Sequence, residues 1–220
     1  MHETVTPKVG RNAVTVAVIF LLSIAVVAVA VAFAVAKTGF VDVPVLSSFY
    51  RGPTVTRIVE PAPIDGQGLR TIVGERLYGS IARAESPYRF EVTEAEMTGA
   101  LQSEIGEVIR GEAWEVEQLQ IVIGPNGLEC TVSLRKNGTR FEFQGIFEPV
   151  VVNGGLQFRA VSIHVGDYPV HPALGLRIAG AVFSRDFGTW VFRLGTVEFI
   201  GVELEEGVAN LTAAIANSAP

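Results

Sequence analysis

Cysteine is all but missing from this 220-residue chain. Cys130 stands alone, which excludes an internal disulfide, a zinc site built on cysteines and dithiol redox chemistry. An excess of positive charge is missing too. Beyond Lys37 there are 14 basic residues against 22 acidic ones, a formal charge of −8, which argues against nucleic acid as a partner and against broad electrostatic docking on anionic lipid. Catalytic signatures are equally scarce. Asp186-Phe187-Gly188 matches a kinase tripeptide, but no glycine-rich loop, paired lysine or His-Arg-Asp segment accompanies it, and it reads as a turn. Of three histidines, His164 and His171 flank Asp167, a metal or acid-base cluster in outline, yet no fourth ligand or nucleophilic serine motif stands nearby and satisfied surface groups are the plainer reading. The sequence therefore assigns no catalytic residue, no metal site and no cofactor, and points away from an enzyme.

What the chain does have is one long apolar run. Ala13 to Ala36 is 24 residues without a charge, interrupted only by Thr15 and Ser23. About 20 apolar residues in a helix cross a hydrocarbon core about 30 Å thick, so the length permits a span with some tilt. Its β-branched residues favour strand in water, but lipid requires a segment to satisfy its own backbone hydrogen bonds, and helix follows. A cleaved secretory signal is the competing reading, with Ala34-Val35-Ala36 as a small-x-small site. Signal cores usually run about 7 to 15 residues, so the length favours an uncleaved anchor. Basic residues leave orientation almost balanced, with Lys8 and Arg11 before the run and Lys37, Arg51 and Arg57 after it. A short basic tail, an apolar run and a large domain is the arrangement of a signal anchor. The reading is a single-pass protein of the cell membrane: cytoplasmic tail 1–12, anchor 13–36, stalk 37–66 and exported domain 67–216.

The stalk carries Pro44, Pro53, Pro61 and Pro63 with Gly39, Gly52 and Gly66, which favours irregular or extended backbone. Leu69, Ile72, Val73, Leu77 and Ile81 then fall at helical spacing. Tyr88 to Val92 predicts a short strand, and Thr93-Glu94-Ala95-Glu96 is a capping box that starts a helix at Glu94, with Met97, Leu101, Ile105, Val108 and Ile109 along its stripe and Gly111 as its stop. From Glu115 to Val165 the period changes to two. Leu128, Cys130, Val132 and Leu134 alternate with polar residues, as do Phe141, Phe143 and Phe147, and the turn signals at Pro125-Asn126-Gly127, Lys136-Asn137-Gly138 and Asn153-Gly154-Gly155 divide the stretch into four strands. Asn137-Gly138-Thr139 also matches a glycosylation sequon, but turn chemistry explains it, with Gly138 expected at positive φ. The apolar face of 156–165 switches near Ala160, which predicts either a bulge or a strand buried on both sides. A helix over Pro172 to Phe183 is followed by two closing strands, Gly188 to Leu194 and Val197 to Leu204, the last able to resume after Gly207. The fold class is α+β, a transmembrane helix followed by a curved antiparallel β-meander packed against one or two helices.

The order of these elements, with Thr93-Glu94-Ala95-Glu96-Met97 opening a helix and Ser162-Ile163-His164-Val165-Gly166-Asp167-Tyr168-Pro169-Val170 leading from a strand into another, resembles the YpmS family of bacterial envelope proteins over residues 60–215. The chain departs from that family at Thr98, where its members tend to have Asn, and in its acidic stretch from Glu91 to Glu117. The resemblance implies kinship with tubular lipid-binding domains, in which a long helix is cradled by a curved sheet with an apolar groove.

Glu94, Glu96, Glu104, Glu107, Glu112, Glu115 and Glu117 could place carboxylates for calcium or hydrolysis, but the apolar stripe between them accounts for the spacing and a solvated helix face is the simpler reading. Thirteen phenylalanines and two tryptophans are many for such a domain, and most belong in a core. Met97, Leu101, Ile105, Phe141 and Phe143 are the residues expected to line a groove for an acyl chain, because the helix stripe and the inner face of the meander must meet. The expected partners are the lipid bilayer and a lipid or acyl ligand. The alternative is a non-catalytic assembly or scaffold protein holding an envelope partner by a sheet edge.

Overall fold

A computed structural model describes residues 11–39, 52, 54–64, 68–83, 87–109, 114–137, 139–183 and 191–216. Gly111, Gly138 and the segment 184–190, used above as stop, turn and strand signals, lie outside the described residues. Four helices are described, α1 (Arg11–Thr38), α2 (Leu69–Ala82), α3 (Glu94–Ile109) and α4 (Pro172–Phe183). The strands are β1 (Tyr88–Thr93), β2 (Glu115–Gly124), β3 (Gly127–Lys136), β4 (Thr139–Val152), β5 (Gly155–Val165), β6 (Tyr168–Val170), β7 (Val191–Phe192), β8 (Val197–Glu205) and β9 (Val208–Ile215). The fold is α+β, as the periodicities indicate, with helices packed on antiparallel sheets that do not close.

Within α1, Ile19–Thr38 is the one described helix long and apolar enough to cross a membrane, 20 residues with a mean hydropathy of 3.0. At 1.5 Å per residue it extends about 30 Å. Its side chains stay exposed until the last turns, where Ala36 is buried.

The meander forms as the alternation dictates, in the order β2-β3-β4-β5-β6, with β7 added to β5. The expected bulge is at Val161: Ile146 pairs with Ser162 and Phe147 with Ala160, so Val161 has no partner across the ladder. The turn before β4 places Asn137 at φ 51, the left-handed region Asn tolerates better than most residues. One feature departs from a single sheet. β1 pairs along its whole length with β9, and β9 with β8, making a separate three-stranded sheet from segments more than a hundred residues apart in the chain.

The core is two packed clusters, one between the two sheets and α2, the other between the meander and helices α3 and α4. One joins Val73 and Leu77 of α2 to Phe90, Val92, Ile123, Phe199 and Ala213. The other joins Ile105 of α3 to Leu134, Phe141, Phe143, Ile163 and Val165. Helix α3 runs through both. Its start is the capping box read from the sequence: Glu96 N donates to Thr93 Oγ1 at 3.2 Å, and Thr93 N donates back to Glu96 Oε2 at 2.9 Å.

Helix α3 lies along the outer edge of β2 and supplies that strand with a polar ladder. Ile123 N donates to Glu94 Oε2 at 3.1 Å. Thr98 Oγ1 accepts from Ile121 N at 3.0 Å and donates to Ile121 O at 3.1 Å. Gln102 Nε2 donates to Leu119 O at 3.0 Å. Four helical residues advance about 6 Å and two strand residues about 6.7 Å, so side chains at every fourth helix position meet backbone at every second strand position.

The segment 54–64 has no regular secondary structure, as its prolines require, but it is bound along the domain and does not stand clear of it as a stalk. Gln144 Nε2 donates to Thr54 O, Thr56 Oγ1 to Glu129, Gln120 Nε2 to Arg57 O, and Ala62 N to Ala95 O. Arg57 bridges Glu94, Glu206 and the carbonyl of Ile123. Gly99 is what lets 62–64 approach α3, since a Cβ there would meet Ala62 O at 2.3 Å.

Thr98 is fully buried and its hydroxyl satisfies both polar groups of Ile121. Thr98→Val keeps the shape and leaves an N–H and a C=O unpaired, so the domain should lose about 2 kcal/mol or more. Denaturant unfolding of the full chain in detergent measures it, and an unchanged midpoint would refute the ladder's role.

Candidate functional site

The five residues expected to line a groove are all on the inner side of the structure, but they divide between the two clusters. Leu101, Ile105, Phe141 and Phe143 meet in the second, with the Phe141 and Phe143 rings stacked at 6.4 Å between centroids. Met97 belongs to the first, where it borders the apolar seam between the sheets together with Val92, Leu128, Leu156, Phe158 and Phe192. The relative exposures decide what they do here: Phe141 is 0 % exposed, Phe143 5 %, Met97 8 % and Ile105 9 %. The seam holds about 20 Å³ of open space, room for about one water. In this conformation Met97, Ile105, Phe141 and Phe143 are packed core with Leu101 half-buried against it, and an acyl chain could enter only if that packing opened.

The polar candidates are also committed locally. His171 Nδ1 accepts from Ala173 N at 3.3 Å and caps α4, His164 pairs across the ladder with Pro169, and Asp167 pairs with Lys37. Among the described residues no three His, Cys, Asp or Glu side chains converge as a metal site would require. In the acidic stretch, burial works to raise the Glu94 carboxyl, and the Arg57 guanidinium with the Ile123 N–H overcomes it and leaves it below the usual carboxylate range. Glu96 is likewise pushed up by burial and held low overall by Thr93 and Arg76. Glu117 pairs with Arg135 and Arg140. Glu112 and the side chains of Glu104 and Glu107 lie outside the described residues. Desolvation pushes the Cys130 thiol up to about 12, so it is a poor nucleophile.

Two surface features went unread in the sequence. The first is a cleft of about 530 Å³ at the outer end of β2, beside the last rung of the α3 ladder, lined by Ile58, Val59, Val116 and Leu119 and by four polar residues, Gln102 and Glu117 among them. Ile58 is 86 % exposed and Val116 43 %. Ile58, in the proline-rich stretch 52–64, carried no periodic signal, and the register shift between Val116 and Gln118 is a product of pairing. A second cleft, about 680 Å³ between α2 and the β1–β9 pair, mixes Arg76, Arg83 and Arg89 with Glu75, Glu91 and Glu203 and so selects neither sign of charge.

The second feature is the junction of α1 with the domain. Asp167 N donates to Lys37 O at 2.9 Å and the Lys37 ammonium lies 3.5 Å from Asp167 Oδ2. Gly166 makes this possible: its φ is +57°, and a Cβ would meet the Lys37 and Thr38 carbonyl oxygens at 2.6 Å. Beneath it, Gly166 N donates to Glu142 O at 2.8 Å. Glu142 is 3 % exposed and its Oε2 has no hydrogen-bond partner among the described residues. Burial first, and repulsion from Asp167 second, raise its carboxyl to about 7, although Arg140 Nε lies 3.0 Å from Oε1. Arg140 is 46 % exposed, and water screens its pull.

Folded Glu142 therefore holds its proton to about pH 7, while in the unfolded chain it is lost near 4.5. Across that window the folded state binds more protons, so this group's contribution to stability falls as pH rises. The Glu94 and Glu96 contributions run the other way, present above the unfolded carboxylate pKa and lost only as pH falls below it. Melting of the full chain in detergent should therefore drop between about pH 5.5 and about pH 8, and Glu142→Gln should flatten that slope. Parallel profiles for the two proteins would refute the assignment.

No protein-family model, no curated protein and no solved structure matches this chain.

Proposed function

We propose that the chain is a single-pass membrane protein of the bacterial envelope type, with its amino terminus inside, and that its exported domain is a non-catalytic module that holds a protein partner close to the membrane. The observation that carries the reading is the cleft at the end of β2. There a strand edge emerges from under the α3 ladder beside two exposed aliphatic side chains, Ile58 and Val116. An extended peptide adding to such an edge gains main-chain hydrogen bonds and two apolar contacts. Clustered carboxylates already neutralised by arginines, and histidines engaged in local structure, supply no comparable support for chemistry.

An apolar ligand is the second reading. It is supported by the seam between the sheets, whose lining is wholly apolar, and it agrees with the lipid-binding kinship that the YpmS resemblance implies. It requires the seam to open.

One measurement tests the anchor and two separate these readings. The full chain should stay in the membrane fraction through an alkaline wash, and a mature form beginning at Lys37 would overturn the anchor. A photo-crosslinker replacing Ile58 should give a discrete protein adduct in intact cells that one replacing Tyr78, 74 % exposed on α2, does not. Equal adducts at both positions would remove the case for the cleft. Mass spectrometry of the detergent-extracted protein should find no stoichiometric lipid, and a lipid retained at one copy per chain would move the assignment to the second reading.

A further inference from the structure

Where the apolar helix ends fixes where the domain sits. The 20 residues of Ile19–Thr38 are about as long as the hydrocarbon core is thick, so if α1 spans a bilayer, Lys37 and Thr38 lie at its boundary with water. The backbone of Asp167 is hydrogen-bonded to Lys37 O, which brings the β5–β6 turn to the same depth. Tyr168 is the next residue, α1 packs on β6, and α4 starts two residues after β6 ends. The β5–β6 turn is therefore held next to the end of the apolar helix.

The residues that arrive there are those a membrane surface accepts. Tyr168 is 41 % exposed and Leu174 51 %. Ala173, Arg177 and Ala181 are exposed on the same helix, four residues apart along one face with Leu174 beside them. Helix α4, sequence PALGLRIAGAVF, has no acidic residue and one basic one. The inner face of this helix is spoken for, since Gly175 is pressed against Ile163 and Ala179 is buried in the second cluster. Its outer face would be an unexplained apolar surface on a domain that is otherwise strongly acidic. Tyrosine is enriched at headgroup level, and an arginine on an apolar helix can extend its guanidinium to the phosphates.

We propose that Tyr168 and the outer face of α4 lie in the headgroup region of the bilayer that α1 spans, so that the domain is held to the membrane at two adjoining places and cannot swing freely about its anchor. This rests on the anchor reading above. The consequence is a fixed orientation, in which the membrane-facing β6–α4 end is set by the anchor and the rest of the domain takes its height above the lipid from it.

The test uses the full chain with Cys130→Ala and single cysteines at Val27→Cys, Leu174→Cys or Tyr78→Cys, each carrying an environment-sensitive fluorophore. The labelled proteins are reconstituted in phosphatidylcholine–phosphatidylglycerol vesicles with and without lipid bearing a nitroxide near the headgroup. Emission at position 174 should fall by about half, because a group about 5–10 Å into the boundary is within reach of the nitroxide, while position 78 keeps its emission. Equal behaviour at 174 and 78, whether quenched or not, overturns the proposal. Position 27, read with a nitroxide deep in the acyl chains, separates the two levels of failure: quenching there with none at 174 leaves the anchor standing and removes the membrane-resting face, and no quenching at 27 removes the anchor itself.

Discussion

The packing of both core clusters depends on how α3 meets the edge of β2. An antiparallel strand at the end of a sheet presents a row of unpaired N–H and C=O groups, and leaving even one pair buried and unsatisfied costs about as much as a small domain can spare. Glu94, Thr98 and Gln102 answer that row by being spaced at the helical repeat closest to two strand residues. Because the match is in length as well as in chemistry, it fixes the position of the helix along the strand. With α3 so fixed, Met97 falls into one cluster and Ile105 into the other, and the same helix closes both.

The ladder also explains why the residues that look like a groove are a core. A helix free to sit beside a curved sheet would leave space along its stripe. A helix hydrogen-bonded to the sheet edge at three successive points is pulled in until side chains fill that space, and Phe141 and Leu134 reach zero exposure as a result. Glu94 takes part twice, since it both completes the ladder and receives Arg57, so the segment 54–64 is tied to the same edge. Where the ladder ends at Gln102, the exposed cleft begins.

At the opposite end the structure makes a different kind of join. The apolar helix is attached by backbone, through Asp167 N and the Lys37 carbonyl, at a glycine whose positive φ and missing Cβ are both needed. A buried carboxyl that keeps its proton to about pH 7 lies under that glycine. The end of the apolar helix is thus tied to the β5–β6 turn, and α4 begins two residues after the short strand β6 that this helix touches.

How much of this was legible follows from the range over which each signal acts. The capping box, the helix stripes, the alternating strands, the bulge beside Ala160 and the apolar run were readable because each is a local pattern: a helix start is decided within four residues, and a strand by alternation along itself. The sequence by itself determined those elements, their order and the presence of one segment able to cross a membrane. It could not decide that β1 pairs with β9, that Thr98 serves Ile121, that Gly166 receives the end of α1, or that Phe141 is sealed and Ile58 bare. Each of those depends on contacts between residues far apart in the chain, where pairing register and close packing choose the neighbour, and no local pattern in the sequence marks Thr98. The tertiary structure alone made a packed core of the expected groove and left the exposed apolar residues at the β2 cleft and on α4.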